Sequence, residues 1–207
     1  MIGELNSIKS NKISIRILIS VVLLLVAAGV WSAYLLKDKT PTASENSRAL
    51  IGGPFNLTNH LNEAVTEQDF MGHYMMVYFG YTYCPDICPM DLQIMTDALH
   101  LLDPSISSQI KPVFVTVDPE RDTTEIMAEY IEYCHENLIG LTGTVEQIEA
   151  VKSEYRVFAA KADNTENYIV DHTAYTYLMD EEGVLLKHFN HAEEPEKMAS
   201  QITALIN

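Results

Sequence analysis

Two cysteines separated by three residues, Cys84 and Cys88, are the part of this sequence best suited to chemistry. Two thiols that lie close together can share one soft metal ion or oxidise to a disulfide, and the spacing alone does not decide between these outcomes. A structural disulfide or a pair of buried thiols is the simpler alternative. The chemistry of the pair therefore depends on the elements that position it.

The residues around the pair predict a strand that leads into a helix. The apolar run at residues 75–79 is too short for a helix and rich in strand formers. Pro85 and Pro89 confine the helix start to this window, because proline is tolerated only in the first helical turn. Apolar residues at helical spacing then predict a helix over residues 89–102. Both sulfurs would lie at its N-terminus, where the helix dipole favours thiolate over thiol.

A second strand and two further helices follow. The apolar run at residues 113–117 ends at Asp118 and Pro119, which close the strand. Thr123 and Thr124 are candidate caps of the next helix. The segment GLTGT at residues 140–144 predicts a turn into another helix, because Thr144 and Gln147 have the spacing of a capping box.

The last third of the chain predicts a hairpin and a helix. Strands are expected at about residues 169–179 and 184–189, and the tight turn between them requires them to be antiparallel. A final helix is expected at about residues 194–206. This order predicts an α/β domain with a thioredoxin-like fold, in which the strand before the cysteines delivers them to the C-terminal edge of the sheet.

The N-terminal region differs from the rest of the chain. Residues 17–36 form a stretch of 20 residues without a charge, the length needed to cross a bilayer as a helix. A cleaved signal peptide is the alternative, but its apolar core would be shorter. The predicted segments are a short cytoplasmic tail (1–16), a transmembrane anchor (17–36), a linker (37–49) and a thioredoxin-like domain (50–207).

The charge of the chain excludes one class of partner. The net charge is −16, and residues 1–49 carry six basic and three acidic side chains, which leaves −19 for the remainder. So acidic a domain repels nucleic acid phosphates. Basic residues are equally frequent on both sides of residues 17–36, so the positive-inside rule does not give the orientation of the anchor.

Four segments together resemble the Sco/SenC family, the membrane-anchored copper chaperones that serve cytochrome c oxidase assembly. The segments are YFGYTYCPDICP at 78–89, VDPERDT at 117–123, GLTGT at 140–144 and YIVDHTAYTYLMD at 168–180. The resemblance covers about residues 50–207. It implies a thioredoxin-like domain on the outer side of an energy-transducing membrane, with copper, Cu(I) or Cu(II), bound by Cys84, Cys88 and His172. The chain departs from the usual family pattern at residues 134–137.

The resemblance also implies partners and a location. The expected partners are the copper-bearing subunit of cytochrome c oxidase and a thiol reductant, which is needed because a dithiol in an oxidising compartment tends to oxidise. The N-terminus lacks the character of a mitochondrial presequence. A bacterial inner membrane, crossed once, with the soluble domain in the periplasm, is therefore expected. No enzymatic activity is expected beyond disulfide chemistry.

Three other functions use the same cysteines. A membrane-tethered thiol–disulfide oxidoreductase or a thiol peroxidase would use one sulfur as nucleophile and the other as resolving thiol. Against the oxidoreductase, the usual motif has two residues between the cysteines, and the chain has no proline between Pro119 and Pro195 to occupy the loop opposite them. A redox or copper sensor is the third alternative.

Several further residues have weaker expectations. Asp86 can tune the site or cap the helix, Asp118 can support it or form a turn, and Asp171 is not expected to orient His172, because successive strand residues face opposite sides. Cys134 is expected to be buried and inert. The remaining histidines are expected to face solvent: His60, His73, His100, His135, His188 and His191.

Overall fold

The computed structural model of the chain describes residues 51–134, 137–163, 165 and 167–206, together with the isolated positions 25 and 31. Among these residues, no helix is long and apolar enough to cross a membrane. The anchor predicted at residues 17–36 lies outside the described part of the chain, apart from those two positions. The residues beyond position 50 belong to one compact unit, Leu50–Asn207.

Strands and helices alternate along this unit. In chain order they are β1 (Asn56–Asn59), β2 (Ala64–Thr66), a short 3-10 helix (Glu67–Phe70), β3 (Tyr74–Gly80), α1 (Ile87–Leu101), α2 (Pro104–Ser107), β4 (Ile110–Thr116), α3 (Thr124–Glu132), β5 (Ile139–Thr142), α4 (Val145–Tyr155), β6 (Ala159–Lys161), β7 (Val170–His172), β8 (Thr176–Met179), β9 (Leu185–Phe189) and α5 (Pro195–Ile206).

Seven of these strands form one mixed sheet in the order β2-β1-β5-β4-β3-β8-β9. Strands β3, β4 and β5 are parallel, because helices cross between them, whereas β8 pairs antiparallel with both β3 and β9. The predicted thioredoxin-like arrangement of a parallel βα portion and a C-terminal hairpin is confirmed. The carboxyl ends of β3 and β4 meet at one edge, where ligands usually bind in such sheets.

The centre of the sheet is β3, which is buried along nearly its whole length. A strand covered on both faces is expected to be continuously apolar, as this one is. The ring of Phe79 packs on Tyr155 from α4 and Tyr177 from β8, with centroids 5.2 and 6.1 Å away. This packing fixes the strand whose end carries the cysteine loop.

Three predicted elements differ in detail from the observed ones. The helix expected from residue 89 begins at Ile87, so Cys88 lies inside its first turn. The first half of GLTGT belongs to β5 rather than to a turn. The prediction of one strand over residues 169–179 was wrong, since β7 and β8 are separated by residues 173–175. Strand β7 pairs with β6 in a separate two-stranded sheet, and β8 pairs with β3.

Candidate metal centre

The cysteine loop lies between the end of β3 and the first turn of α1. Cys84 is 8% exposed and Cys88 is fully buried. The backbone N–H of Cys88 donates to Sγ of Cys84 at 3.4 Å. The N–H of Cys84 donates to the carbonyl of Tyr81 at 3.2 Å, which closes a tight turn before the helix. The sulfur of Cys84 therefore lies at a helix N-terminus, where N–H groups without intrahelical partners stabilise negative charge.

Gly80 makes room for the second sulfur. A Cβ at this position would lie 2.9 Å from Sγ of Cys88 and equally close to the ring of Phe114. Real Cβ atoms essentially never approach other atoms so closely. The glycine at the end of β3 thus allows the Cys88 sulfur to lie directly against the strand.

His172 is the last residue of β7, and its imidazole faces the cysteine pair. Its Nε2 lies 3.3 Å from Sγ of Cys88, and the ligand atoms of Cys84, Cys88 and His172 all lie within 4.8 Å of one another. Its Nδ1 lies 3.1 Å from the carbonyl oxygen of Thr173. Because a carbonyl can only accept, this contact assigns the proton of the neutral ring to Nδ1. The lone pair of Nε2 is then free to bind a metal ion.

Two tyrosine rings hold the imidazole in place. Tyr78 and Tyr81 both meet it edge to face, with ring centroids 6.3 and 5.9 Å from that of His172. The hydroxyl of Tyr81 also accepts a hydrogen bond of 3.3 Å from the N–H of Val170, in the same strand as His172. Tyr81 therefore connects the cysteine loop to the strand that carries the histidine.

The two thiols have opposite shifts in pKa. A hydrogen bond from the Cys88 side chain lowers the pKa of Cys84 from 9.0 to about 4, helped by the backbone N–H groups of Asp86 and Cys88 and opposed by burial. The same hydrogen bond, together with burial, raises the pKa of Cys88 above its ordinary value. In the reduced protein without metal, the pair therefore holds one proton on Cys88 and one negative charge on Cys84.

A cavity of about 280 Å³ opens beside these side chains. Cys84 and His172 form part of its wall, with Pro85, Asp86 and Ile169 at the surface. A larger cavity of about 550 Å³ lies at the beginning of β4, near Leu99 and Lys111. Since β3 and β4 run parallel, that cavity is at the opposite end of the sheet from the cysteines. Of the three potential metal ligands clustered in the described residues, Cys84 and His172 line the smaller cavity, whereas Cys88 is buried and does not.

The donor set fits a soft metal ion. Thiolate suits Cu(I), and imidazole completes a three-coordinate site while tolerating Cu(II). Cysteine and histidine together also bind Zn²⁺, so the donor types alone do not select copper. One thiol is already ionised and the imidazole is in the tautomer with a free Nε2, so only the Cys88 proton must be lost when an ion binds all three groups.

The three residues predicted from the sequence as metal ligands are thus brought together. Asp171 is exposed, and the carbonyl of Thr173, not the Asp171 carboxylate, orients the imidazole. The side chain of Asp86 is exposed and makes no capping hydrogen bond, so its contribution to Cys84 comes from the backbone. Metal binding by the three ligands stays a prediction at this stage.

Two polar residues that support the site, Arg121 and Asp122, were missed in the sequence, whereas Asp118 was named as a candidate for this role. Asp122 is completely buried and accepts hydrogen bonds from the N–H and hydroxyl of Thr82, at 3.1 and 2.6 Å, and from the hydroxyl of Thr116 at 2.5 Å. It therefore fastens the cysteine loop to the end of β4. Asp118 is buried and binds Arg121. All three lie within VDPERDT, but only their three-dimensional contacts give them this role.

Two expectations for other side chains were wrong. His60 is partly buried and its Nδ1 accepts from the N–H of Gly140 at 3.1 Å. His191 is 39% exposed, as expected, although its Nδ1 lies 3.0 Å from both carboxylate oxygens of the buried Asp91. Cys134 is only partly buried, and its thiol donates to the carbonyl of Tyr130. Burial raises the pKa of Cys134, which is consistent with an inert thiol. His135 lies outside the described residues.

Comparison with known proteins relates this site to one family. The sequence profile of the SCO1/SenC family matches residues 43–207. The human mitochondrial SCO1 homologue is 40% identical over 159 residues, which cover 75% of this chain and 52% of that protein. An SCO2-like protein of Rickettsia felis is 37% identical over 201 residues, covering 92% of this chain and 95% of its own length. The chain thus spans about half the length of the vertebrate relative and nearly all of the bacterial one.

Solved structures show the same relationship. Arabidopsis thaliana ScoI with copper bound matches with a TM-score of 0.70 and 37% identity, over 75% of this chain and 98% of that chain. Yeast Sco1 with copper bound matches with a TM-score of 0.69 and 31% identity, over 74% and 87% of the two chains. Both of these relatives are described as containing copper.

Proposed function

The chain belongs to the SCO1/SenC family, and we propose that it binds copper as a cargo during the assembly of cytochrome c oxidase. Cys84, Cys88 and His172 hold the ion, which is then delivered to, or used to prepare, the copper centre of the oxidase. The observation that carries this proposal is the position of the His172 Nε2, which lies 3.3 Å from a sulfur of the cysteine pair with its lone pair directed to it. The copper in related structures supports the choice of metal.

Release follows from the same geometry. His172 belongs to a small separate sheet, whereas both cysteines are held by the buried end of β3 and by α1. A ligand from the acceptor enters through the cavity beside Cys84 and replaces the imidazole, after which the two sulfurs dissociate in turn. Each step exchanges one ligand for another, so copper is transferred without a change in its oxidation state.

A membrane anchor is part of the proposal. Residues 17–36 cross the bacterial inner membrane once, with residues 1–16 in the cytoplasm and residues 37–49 as a linker. Residues 50–207 form the copper-binding domain in the periplasm. The support for this arrangement is the length of the uncharged stretch and the Rickettsia relative, which aligns along nearly its entire length. The anchor would hold the site near a membrane-bound oxidase.

Two partners follow from the chemistry. The acceptor is the copper-bearing subunit of the oxidase. The second partner is a dithiol reductant, because a disulfide between Cys84 and Cys88 has no thiolate to offer and must gain two electrons and two protons before copper can bind. The acidic surface of the domain excludes nucleic acid as a partner.

The proposal is tested by a Cu(I) titration of the full chain in detergent, with a chromogenic chelator as competitor and excess Zn²⁺ in a parallel series. We expect one Cu(I) per chain, retained in the presence of Zn²⁺. Cys84→Ala and Cys88→Ala should abolish tight binding, and His172→Ala should weaken it at least tenfold. Cys134→Ser is the matched control, because it removes a thiol outside the cluster. Binding that depends on Cys134, or that is unaffected by His172→Ala, would contradict the proposed ligands.

A second function has specific support. The low pKa of Cys84, beside a protonated Cys88 within disulfide reach, is the arrangement of a nucleophilic and a resolving thiol. The reduced protein could therefore reduce a disulfide of the oxidase copper site and become oxidised itself. Rapid reduction of insulin, without tight Cu(I) binding, would favour this oxidoreductase over the chaperone.

A further inference from the structure

The hairpin formed by β6 and β7 carries His172 but does not belong to the main sheet. Its strands have three residues each, and its backbone pairing is internal, with Ala159 opposite His172. No backbone ladder of the described residues connects this hairpin to β3 or to the cysteine loop. Apart from the three-residue connection to β8, the distance between His172 and the sulfurs therefore depends on side-chain contacts between the hairpin and its surroundings.

Arg121 makes several of these contacts. Its guanidinium carbon lies 3.6 Å from the ring centroid of Tyr168, two residues before β7. The same carbon lies 4.9 Å from the ring centroid of Tyr83 and 5.7 Å from that of Tyr81, both in the cysteine loop. One side chain thus contacts rings from the two segments that carry the metal ligands.

Asp118 binds both Arg121 and Tyr168. Its Oδ2 accepts from Nε of Arg121 at 2.5 Å, and its Oδ1 accepts from the hydroxyl of Tyr168 at 2.7 Å. The carboxylate is only 2% exposed and the Arg121 side chain 16% exposed. A buried carboxylate therefore fixes both the cation and the ring on which it stacks, and stacking of this kind is stronger when water is excluded.

The choice of arginine is specific. A planar guanidinium can stack on Tyr168 and donate in its own plane to Asp118 at the same time, whereas the compact ammonium of a lysine at this position would not do both. The Nη2 of Arg121 is buried, and the described part of the structure gives it no hydrogen-bond partner. A buried donor without a partner costs free energy, so the contacts of the remaining guanidinium atoms must stabilise the folded protein by more than this cost.

We propose that Arg121 is a positioning residue for copper binding: it clamps the His172 hairpin against the cysteine loop and so keeps the third ligand within reach of the two sulfurs. The inference rests on the proposed function for the metal, but the clamp itself is a property of the protein without metal. When the clamp is removed, the hairpin opens, and the apparent affinity for copper falls with the fraction of closed molecules.

A neighbouring ion pair provides the control. Lys161 of β6 pairs with Glu120, and both side chains are about half exposed. Exposed pairs contribute little to stability, so Glu120→Gln removes an exposed ion pair of the same hairpin, while Lys161, whose Nζ lies 4.4 Å from the ring centroid of Tyr168, is itself retained. Any effect of the hairpin's surface charge in general would appear in this variant as well.

The experiment combines a double-mutant cycle with a measurement on the metal-free protein. Cu(I) affinity of the full chain is measured for Arg121→Met and Glu120→Gln, each alone and combined with His172→Ala. We expect Arg121→Met to weaken binding about tenfold, which corresponds to about 1.4 kcal/mol, and Glu120→Gln to change it less than twofold. In the His172→Ala background, Arg121→Met should have almost no further effect, since it acts through that ligand.

Hydrogen exchange of the reduced, metal-free protein gives the second readout. The amide of Val170, which donates to Tyr81, should exchange at least tenfold faster in Arg121→Met, while amides of β3 remain protected. Arg121→Lys should lie between the wild type and Arg121→Met. If Arg121→Met does not fold, Tyr168→Leu removes the other half of the clamp and is expected to give the same pattern.

The proposed clamp would be wrong if Arg121→Met lowered copper affinity equally with His172 and with His172→Ala. It would also be wrong if hydrogen exchange at Val170 were unchanged in Arg121→Met. A wild-type protein that binds no copper would instead overturn the proposed function, and the exchange measurement would still decide whether Arg121 holds the hairpin. The two failures are therefore distinguishable.

Discussion

The backbone of Gly80 approaches the sulfur of Cys88 so closely that a Cβ on this residue would lie 2.9 Å from Sγ. The end of β3 thus sets the position of one metal ligand directly. Because β3 is packed in the centre of the sheet, this ligand is held in a fixed position. The second sulfur and the imidazole are positioned less rigidly, by a loop and by a two-stranded hairpin.

We expect Gly80→Ala to weaken both folding and copper binding. The added methyl group must displace either the Cys88 sulfur or the ring of Phe114, and overpacking of this kind costs about 1–3 kcal/mol of unfolding free energy. Chemical denaturation and Cu(I) competition measure the two effects. Gly53→Ala is the control, because its nearest contact is the flexible end of the exposed Glu154 side chain. A Gly80→Ala protein with wild-type copper affinity would show that the sulfur position is not set by this contact.

Selective alkylation should distinguish the two thiols. In the reduced, metal-free protein, Cys84 has a pKa of about 4, so it is a thiolate at pH 6 and becomes protonated only as the pH falls towards 4. We expect iodoacetamide to modify Cys84 at pH 6 while Cys88 and Cys134, whose pKa values are raised, remain unmodified. Peptide mass spectrometry after a pH series measures the rates. Equal rates for Cys84 and Cys88, rising together near pH 9, would contradict the assignment.

The lowered pKa of Cys84 also makes stability depend on pH. The group has a pKa of 9.0 when unperturbed and about 4 in the folded protein, so between these values the unfolded chain binds more protons at this site. The free energy of unfolding contributed by Cys84 is therefore fully present above about pH 9 and is lost as the pH falls towards 4. Comparison of the wild type with Cys84→Ala across this range isolates the contribution, and a difference that does not change with pH would contradict it.

Asp122→Asn should loosen the cysteine loop. The buried carboxylate accepts three hydrogen bonds from Thr82 and Thr116. The side-chain amide of asparagine would place its NH₂ group, which can only donate, against one of these N–H or O–H donors. Leaving a buried polar group unsatisfied costs about 1–3 kcal/mol. We expect a loss of unfolding free energy in this range and faster hydrogen exchange at the amide of Thr82. Asp163→Asn is an exposed control. Unchanged protection of Thr82 would exclude Asp122 as the anchor of the loop.

The pair of Asp91 and His191 links α1 to the residues before α5. Asp91 is 4% exposed and accepts from the Ala192 N–H as well as contacting the imidazole. His191→Ala leaves the buried carboxylate with the Ala192 N–H as its partner, which we expect to cost about 1–3 kcal/mol, the range for a buried polar group that loses a hydrogen bond. His188→Ala, at an exposed histidine, should cost much less. Equal losses measured by denaturation would show that the Asp91 contact carries no special stability.

The sequence was sufficient for the elements that depend on local pattern. The central strand, the helix after the cysteines and the capping box of Thr144 and Gln147 were all predicted and observed. The division of residues 169–179 between two sheets was not predictable, because strand propensity is continuous through this segment, while β7 pairs with the neighbouring β6 and β8 pairs with β3, which lies far earlier in the sequence.

The site was predictable only in part. The cysteine pair has a local signature, but His172 was identified solely by family resemblance, since a lone histidine in a strand has no distinctive pattern. The roles of Arg121 and Asp122 could not be read from the sequence, because they arise from contacts between segments about 40 residues apart. The same is true of His60 and His191, whose partners lie 80 and 100 residues away.

The central claim is that one metal ion binds two sulfurs and the imidazole of His172 together. X-ray absorption spectroscopy of the Cu(I)-loaded full chain tests it directly, with His172→Ala as the comparison. The account predicts two sulfur ligands and one nitrogen ligand in the wild type, and loss of the imidazole scattering with both sulfurs retained in the variant. Identical spectra for the two proteins, or a wild-type site without nitrogen, would contradict it.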